Sequence, residues 1–282
     1  MKELGHRFNE KWLKLLHSAE INTLFAVSVL EDGRKGKVFA DDEDNPSSIY
    51  IRNNYGMSLI YGDALNQGYI KELRSYLLNL DKERVGIEWL QVYPHTLGNI
   101  IEDILGNDLL KKSSDEAYNP LVTEENNKVL EFQRINYLFN HDRFISMNSE
   151  LKNGDYQILV TPKEVYNHTE GSVIPKVFWN DYEDFIHKGM GFTVLAEDNT
   201  PASTAFASFV IGNKLEIGIE TNENMRGAGY GTKAGAALIE YCLKNDFEPV
   251  WSCHSGNIKS RKLAEKLGFE EIRRIPYYRL PV

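Results

Sequence analysis

Cysteine is scarce: Cys242 and Cys253 are the two in a chain of 282 residues. Two thiols cannot build a disulfide framework at this length. They read as reduced side chains of a cytoplasmic protein. Long hydrophobic runs are also missing. The densest, Ile21–Leu30, is interrupted by Asn22, Thr23 and Ser28 and falls well short of the roughly 20 apolar residues that a membrane-spanning helix needs. Met1–Glu10 is charged and polar, without the apolar core of a secretory signal. No membrane association is therefore expected. An excess of basic residues is absent as well. The 32 Lys+Arg stand against 41 Asp+Glu, a net charge of −9, which argues against a nucleic-acid partner. The 7 histidines are scattered, with no H-E-x-x-H and no Cys/His cluster, so no metal site is expected.

What is present suits a packed α/β protein. Hydrophobic residues make up 42% and charged residues 26%, and the length suggests two domains. Residues 1–148 carry 17 basic and 23 acidic side chains; residues 149–282 carry 15 and 18. The first sixteen residues read as an amphipathic helix, with Phe8, Trp12, Leu15 and Leu16 at helical spacing. Glu31–Ser48 is polar and acidic and reads as a loop. Strands are expected at Ile49–Ile51, Met57–Tyr61, Val85–Val92 and Val129–Leu138, and helices at Ile70–Leu80 and Leu97–Leu110. Asn140–Asp155, with Asn153-Gly154, reads as an inter-domain connection. This divides the chain into an N-terminal α/β domain of unknown role, 1–145, and a second domain, 146–282. In the second, Tyr156–Val160 is a strand candidate, and Pro175–Lys188 has helical periodicity. Strands are expected at Phe192–Ala196, Ala205–Ile211, Leu215–Thr221 and Val250–Cys253. Helices are expected at Thr232–Lys244 and Ile258–Leu267, before a final strand at Ile272–Leu280.

The segment Leu215–Thr232, LEIGIETNENMRGAGYGT, carries the chemistry. A strand runs into three glycines at alternate positions, and a helix of small residues follows at once. Gly227, Gly229 and Gly231 lack a Cβ, so their backbone N–H groups can approach a ligand closely. They sit at a helix N-terminus, where unpaired donors and the dipole favour an anion. Arg226 adds a positive fork for a phosphate. Taken by itself, such a segment reads equally well as a plain tight turn. No Gly-Lys-Ser/Thr ends it, which excludes a P-loop. The spacing Gly227-Ala-Gly229-Tyr-Gly231 is not that of a dinucleotide-binding G-x-G-x-x-G.

Residues 190–282 resemble the acyl-CoA-binding half of the GCN5-related N-acetyltransferases. Arg226-Gly-Ala-Gly229-Tyr-Gly231 matches their R/Q-x-x-G-x-G/A. Asn257, Ser260 and Leu263-Ala-Glu-Lys-Leu-Gly268-Phe269 match their second element, one helix and one strand later. The wording EIGIET…RGAGYG…WSC…N-x-x-S is also similar to a subgroup that includes zwittermicin A resistance-type acetyltransferases. The resemblance implies a mixed, twisted sheet flanked by helices, and acetyl-CoA as acyl donor. It also implies a diphosphate held by the backbone of Arg226, Gly227, Ala228, Gly229, Tyr230, Gly231 and Thr232. The end of the strand, Ile219 to Thr221, would align the pantetheine and acetyl carbonyl. Asn257 would touch the pantetheine or phosphate region, with Ser260 a second contact. The N-terminal half is then a candidate for a diverged copy of the same fold.

An amine acceptor must lose a proton before it attacks a thioester. Glu216 and Glu220 share one face of their strand, with Leu215, Ile217 and Ile219 on the other. Both are candidate catalytic carboxylates, Glu216 the preferred one; Glu220 lies nearer the loop and could instead position substrate or Arg226. The same residues also fit a solvated strand face, and Asn257 also fits a helix N-cap. Many members of the family carry a Tyr seven residues after the Asn, as acid to the departing thiolate. Here that position is Ala264, which leaves Tyr277, Tyr278 or another group as the acid, or a thiolate that departs as such. Cys253 and His254 are adjacent in a strand and point apart, which disfavours a covalent cysteine. Two functions follow: acetyl transfer to a small-molecule amine by direct attack in a ternary complex, or a catalytically silent acyl-CoA-binding module. The net negative charge favours a cationic acceptor by steering. Oligomeric state is not legible.

Overall fold

The computed structural model describes residues 2–4, 9–117, 119, 127–151 and 156–282. They form two compact units. Unit 1 comprises Met1–Asn136, Ser252–Ile258 and Arg273–Val282; unit 2 comprises Tyr137–Trp251 and Lys259–Ile272.

Unit 1 begins with β1 (Lys2–Glu3), α1 (Asn9–His17) and α2 (Leu24–Glu31). Trp12 and Leu16, one turn apart on α1, are buried, whereas Leu15 is exposed. Phe8, expected on the same helix, lies outside the described residues. Every residue from Leu24 to Leu30 is buried, so the densest apolar run of the sequence is a core helix. β2 (Gly36–Ala40), β3 (Ser48–Asn53) and β4 (Met57–Gly62) follow as an antiparallel meander. β2 lies inside the stretch expected to be loop. Only Val38-Phe39-Ala40 signals it, and pairing with Ile49–Ile51 of β3 supplies what the flanking charges hide. α3 (Gln67–Leu77) then leads to β5 (Glu88–Tyr93), parallel to β4. α4 (His95–Leu105), β6 (Leu109–Lys111) and the long β7 (Val129–Phe139) complete this part. Helix ends expected at Leu80 and Leu110 fall earlier, and Val85, expected in a strand, is exposed.

Unit 2 opens with α5 (His141–Leu151), which occupies most of the expected connection 140–155. Asn140 caps it by accepting the Arg143 N–H at 3.0 Å, and Phe144 is buried beside Phe139. Three polar residues between apolar ones masked the helical period. Asn153-Gly154 lies outside the described residues. β8 (Ile158–Val160), α6 (Lys163–His168), α7 (Pro175–Phe178) and α8 (Tyr182–Lys188) follow. The single helix expected over 175–188 is thus two. Trp179 is extended between them, its indole N–H donated to the Ala207 carbonyl at 2.7 Å, and Asp181 caps α8 through the Asp184 N–H. β9 (Gly191–Leu195), β10 (Pro201–Ile211) and β11 (Lys214–Thr221) form a second antiparallel meander. α9 (Tyr230–Lys244) returns the chain to β12 (Glu248–Val250), parallel to β11. The strand expected over 250–253 is broken at Trp251: β13 (Ser252–His254) pairs with β7 in the other sheet. α10 (Ile258–Lys266) and β14 (Phe269–Leu280) end the chain.

The sheets run β1-β2-β3-β4-β5-β14-β7-β13, with β6 on β7, and β12-β11-β10-β9-β8. The two halves repeat one order: a short strand, helices, an antiparallel meander, a helix, a parallel strand, a helix and a long strand. This is the diverged second copy expected of the N-terminal half. β14 leaves unit 2 after Ile272, and Tyr277–Leu280 pair antiparallel with Glu88–Gln91 of β5 in unit 1. Tyr278 and Leu280 enter the core beneath α3 and α4. A buried ion pair fixes this edge. Glu88 Oε2 lies 3.2 Å from Arg84 Nε, Glu88 accepts the Tyr76 hydroxyl at 2.7 Å and that of Tyr50, and Arg84 donates to the Pro281 carbonyl at 2.7 Å.

Candidate functional site

β11 is the framework. It is paired with β10 along its length, apart from a bulge at Ser208 of β10. On its other side β12 matches only Lys214–Glu216, because the chain turns away at Trp251. There the indole N–H is donated to Ser260 Oγ at 3.2 Å and the ring packs on Phe269. From Ile217 to Thr221 this edge has no strand partner among the described residues. Asn222 donates its N–H to the Ala202 carbonyl at 2.9 Å. By alternation, Gly218 and Glu220 direct their backbone groups to β10, and Ile217, Ile219 and Thr221 direct theirs to the open edge. The side chains alternate likewise. Glu216, Gly218 and Glu220 share the face of Phe206, which packs on Phe178 of α7; Ile219 lies on the face of α9, close to Gly235.

The loop that follows is shaped by its glycines. Gly227 and Gly229 have φ of +88° and +85°, left-handed values that L side chains avoid. A Cβ at either would meet nothing within 4 Å, so the space beside them is open. Gly231 serves packing instead: its Cβ would lie 3.1 Å from Thr221 Oγ1. α9 begins at Tyr230, two residues before the expected start. Thr232 and Lys233 return their N–H groups to the Gly229 carbonyl at 3.1 and 3.2 Å. The N–H groups of Tyr230 and Gly231 lie in the first turn, where a helix offers no internal acceptor. Tyr230 meets Tyr156 edge-on, and the Lys233 ammonium, its pKa lowered by partial burial, sits over the Tyr156 ring. The residues present fit a diphosphate: open left-handed glycines, a helix N-terminus and an arginine at the rim.

Arg226 is held in place. Its Nε donates to the Thr221 carbonyl at 3.2 Å, Nη2 lies 3.4 Å from Glu220 Oε1, and Nη1 lies 3.8 Å from Glu223. Glu220 Oε2 also accepts the N–H groups of Ser172 and Val173, at 3.1 and 3.3 Å. This second engagement has no sequence signal beyond a glycine, Gly171, forty-nine positions before Glu220. Glu216 is buried. Asn257 directly precedes α10, with its N–H on the His254 carbonyl at 2.9 Å; it falls in unit 1, whereas Ser260 falls in unit 2 and accepts the Trp251 indole. Ala264 is fully buried. Tyr277 and Tyr278 are both in unit 1. The Tyr277 hydroxyl is donated to Met57 Sδ at 3.1 Å, and burial raises the pKa of the Tyr278 hydroxyl. Among the described residues no group of three or more His, Cys, Asp or Glu is placed to hold a metal, and no helix is long and apolar enough to cross a membrane.

The equivalent junction in unit 1, between β4 and α3, is built differently. The Asn66 side chain caps α3 through the Gly68 N–H at 2.9 Å, and Asp41 takes the N–H groups of Ser47, Ser48 and Asn66. Side-chain carboxylate and amide occupy the donors that an anion would need. The glycine cradle is a property of unit 2 alone among the described residues.

Also in unit 1, His254 is packed against Trp89, Phe132 and Tyr277 and accepts the Gly256 N–H on Nδ1 at 2.9 Å. Burial, and then the Arg134 charge, push its pKa from 6.5 down to about 4. The unfolded chain therefore takes up this proton first. Stability that is complete above about 6.5 is lost progressively as pH falls toward about 4. His254→Gln should flatten that part of the stability curve, and urea midpoints at about pH 7 and about pH 5 measure it.

A strand whose parallel neighbour departs midway, leading into a glycine cradle at a helix N-terminus, is the arrangement that the resemblance to the GCN5-related N-acetyltransferases implies, here built on a duplicated fold. The comparisons agree. The family model described as GNAT acetyltransferase matches residues 14–278, and the chain belongs to that family. It is 27% identical over 267 residues, 94% of each chain, to a protein of Bacillus subtilis (strain 168) named "Uncharacterized N-acetyltransferase YdfB". Its fold is similar to that of a GCN5-related N-acetyltransferase-like protein of Streptococcus suis 89/1591, with a TM-score of 0.69 at 21% identity over 98% of this chain and 100% of that one. It is also similar in fold to a tandem GNAT protein from the clavulanic acid biosynthesis pathway, with a TM-score of 0.58 at 10% identity over 99% and 97%.

Proposed function

We propose that the protein transfers an acetyl group from acetyl-CoA to a small-molecule amine by direct attack in a ternary complex. The observation that carries this reading is the open edge of β11, which ends in the cradle at Arg226–Thr232. Acetyl-CoA supplies the activated thioester. The backbone groups of Ile219 and the N–H of Thr221, facing the open edge, hold the pantetheine and the acetyl carbonyl by strand-like hydrogen bonds, while the Thr221 carbonyl holds Arg226. The N–H groups of Gly227, Ala228, Gly229, Tyr230 and Gly231 face the diphosphate; that of Thr232, expected among them, is taken by the Gly229 carbonyl. Asn257 and Ser260 keep their proposed roles as further contacts. Glu216, on the face shared with Gly218 and Glu220, takes the proton of the attacking amine. With alanine at position 264, the thiolate departs without a tyrosine acid from α10.

Calorimetric titration with acetyl-CoA, followed by thiol release over a panel of cationic amines, tests the reading. The expected result is saturable binding and release with at least one amine. Binding without release under any amine favours the silent acyl-CoA-binding module, for which Ala264 is the supporting feature. Gly229→Val should weaken acetyl-CoA by about tenfold or more, because a β-branched residue resists the left-handed conformation and the cradle reshapes around it. Far-UV circular dichroism should be unchanged. Arg226→Ala should weaken it too, and unaltered affinity in both variants would remove the cradle from the mechanism.

A further inference from the structure

Glu220 stands between two loops of unit 2. One of its oxygens meets Arg226 at the rim of the glycine cradle. The other accepts two successive N–H groups, of Ser172 and Val173, in the turn between α6 and α7. Gly171 lets that turn close: its φ is +142°, and a Cβ there would fall 2.3 Å from the Glu220 carboxylate. The Glu220 side chain is 13% exposed, against 42% for that of Arg226. The carboxylate is thus the fixed member of the pair, and the guanidinium is the one that solvent and ligands reach. The turn lies on the same face of β11 as Glu216, from which the amine must approach.

Resting on the transferase reading above, we infer that Glu220 is a positioning residue that links the cradle to the acceptor side, so that occupation of the cradle tightens the turn at 171–173. A diphosphate competes for the Arg226 guanidinium, which already bridges two carboxylates, Glu220 and Glu223. When Arg226 turns to the phosphate, the Glu220 charge falls on the two N–H groups of the turn, and charge-assisted hydrogen bonds are the stronger kind. The acceptor wall is then ordered by occupation of the cradle. Glu220, with its carboxylate committed to backbone donors, leaves proton abstraction to Glu216.

Amide hydrogen exchange on the full chain, with and without coenzyme A, reads both loops at once. In the unaltered protein coenzyme A should slow exchange at 227–231 and also at Ser172 and Val173. In Glu220→Ala, exchange at 172–173 should rise by about tenfold or more through loss of bonds to a charged acceptor, with no response there to coenzyme A, while protection at 227–231 persists. Glu220→Gln, which keeps an accepting oxygen but no charge, should fall between. In turnover, Glu220→Ala should raise KM for the amine with kcat within about threefold of the unaltered enzyme, because removal of a general base would instead cost about a hundredfold or more in kcat. Protection at 227–231 with no change at 172–173 overturns the inference and leaves the cradle standing. So does a hundredfold fall in kcat at constant KM. If coenzyme A protects neither loop, the transferase reading falls and this inference with it.

Discussion

A chain ended after Ile272 is expected to lose the folded state of unit 1. Residues 273–282 are a central part of its sheet, and Tyr277–Leu280 pair with β5. Ile275, Tyr277, Tyr278 and Leu280 are all buried. At roughly 1.5–3 kcal/mol for each large apolar side chain removed from water, their loss amounts to about 6–12 kcal/mol. That is comparable with the whole stability of a typical domain, about 5–15 kcal/mol. Truncation also exposes the edge of β5 and takes away the Pro281 carbonyl that Arg84 binds. Loss of protease resistance and of near-ultraviolet dichroism is the expected readout. A truncated chain that unfolds as cooperatively as the full one, at the same denaturant concentration, would show that β14 is dispensable. Glu88→Gln probes the same edge without shortening the chain. It leaves Arg84 buried with no carboxylate partner in that pair, a change that typically costs about 3–5 kcal/mol.

Glu216→Gln carries the largest expected catalytic effect. Glutamine fills the same volume, so the buried position on β11 is retained, while the capacity to take a proton is lost. Turnover should fall by about 10²–10⁴-fold, the usual contribution of a general base. Acetyl-CoA affinity should hold, because the cradle residues lie beyond the far end of the strand. The rising acidic limb of the pH–rate profile should disappear with the carboxylate. A variant that keeps the turnover and the pH profile of the unaltered enzyme would move the base elsewhere. Read together with Glu220→Ala, this variant separates the two carboxylates of one strand face: one should act on kcat, the other on the acceptor KM.

The candidate site was legible in the sequence to the extent that its requirements are local. Three glycines at alternate positions after an alternating strand announce left-handed backbone and a helix N-terminus within a few residues, and Gly227 and Gly229 adopt that conformation. The shared face of Glu216 and Glu220 follows from the two-residue period of a strand. Helices α3, α9 and α10 were legible for the same reason, through apolar residues at helical spacing. Elements with weak or mixed periodicity were not. β2 is short and set among charges, α5 is largely polar, and the pair α7 and α8 is separated by an extended Trp179 whose partner, the Ala207 carbonyl, is twenty-eight residues away.

By itself the sequence determined the glycine cradle, the two carboxylates, the family resemblance and most of the strands and helices, since each depends on residues close together in the chain. The tertiary structure decided the rest. It broke the strand at Trp251 so that β11 keeps an open edge, sent the last strand into unit 1, placed Asn257 there and Ser260 in unit 2, buried Tyr278 in the core of unit 1, and bound Glu220 to a turn nearly fifty residues earlier. Each of these is a choice of partner. A strand edge, a carboxylate or an indole N–H has many possible partners along a chain, and packing alone selects the one that leaves buried donors and acceptors satisfied.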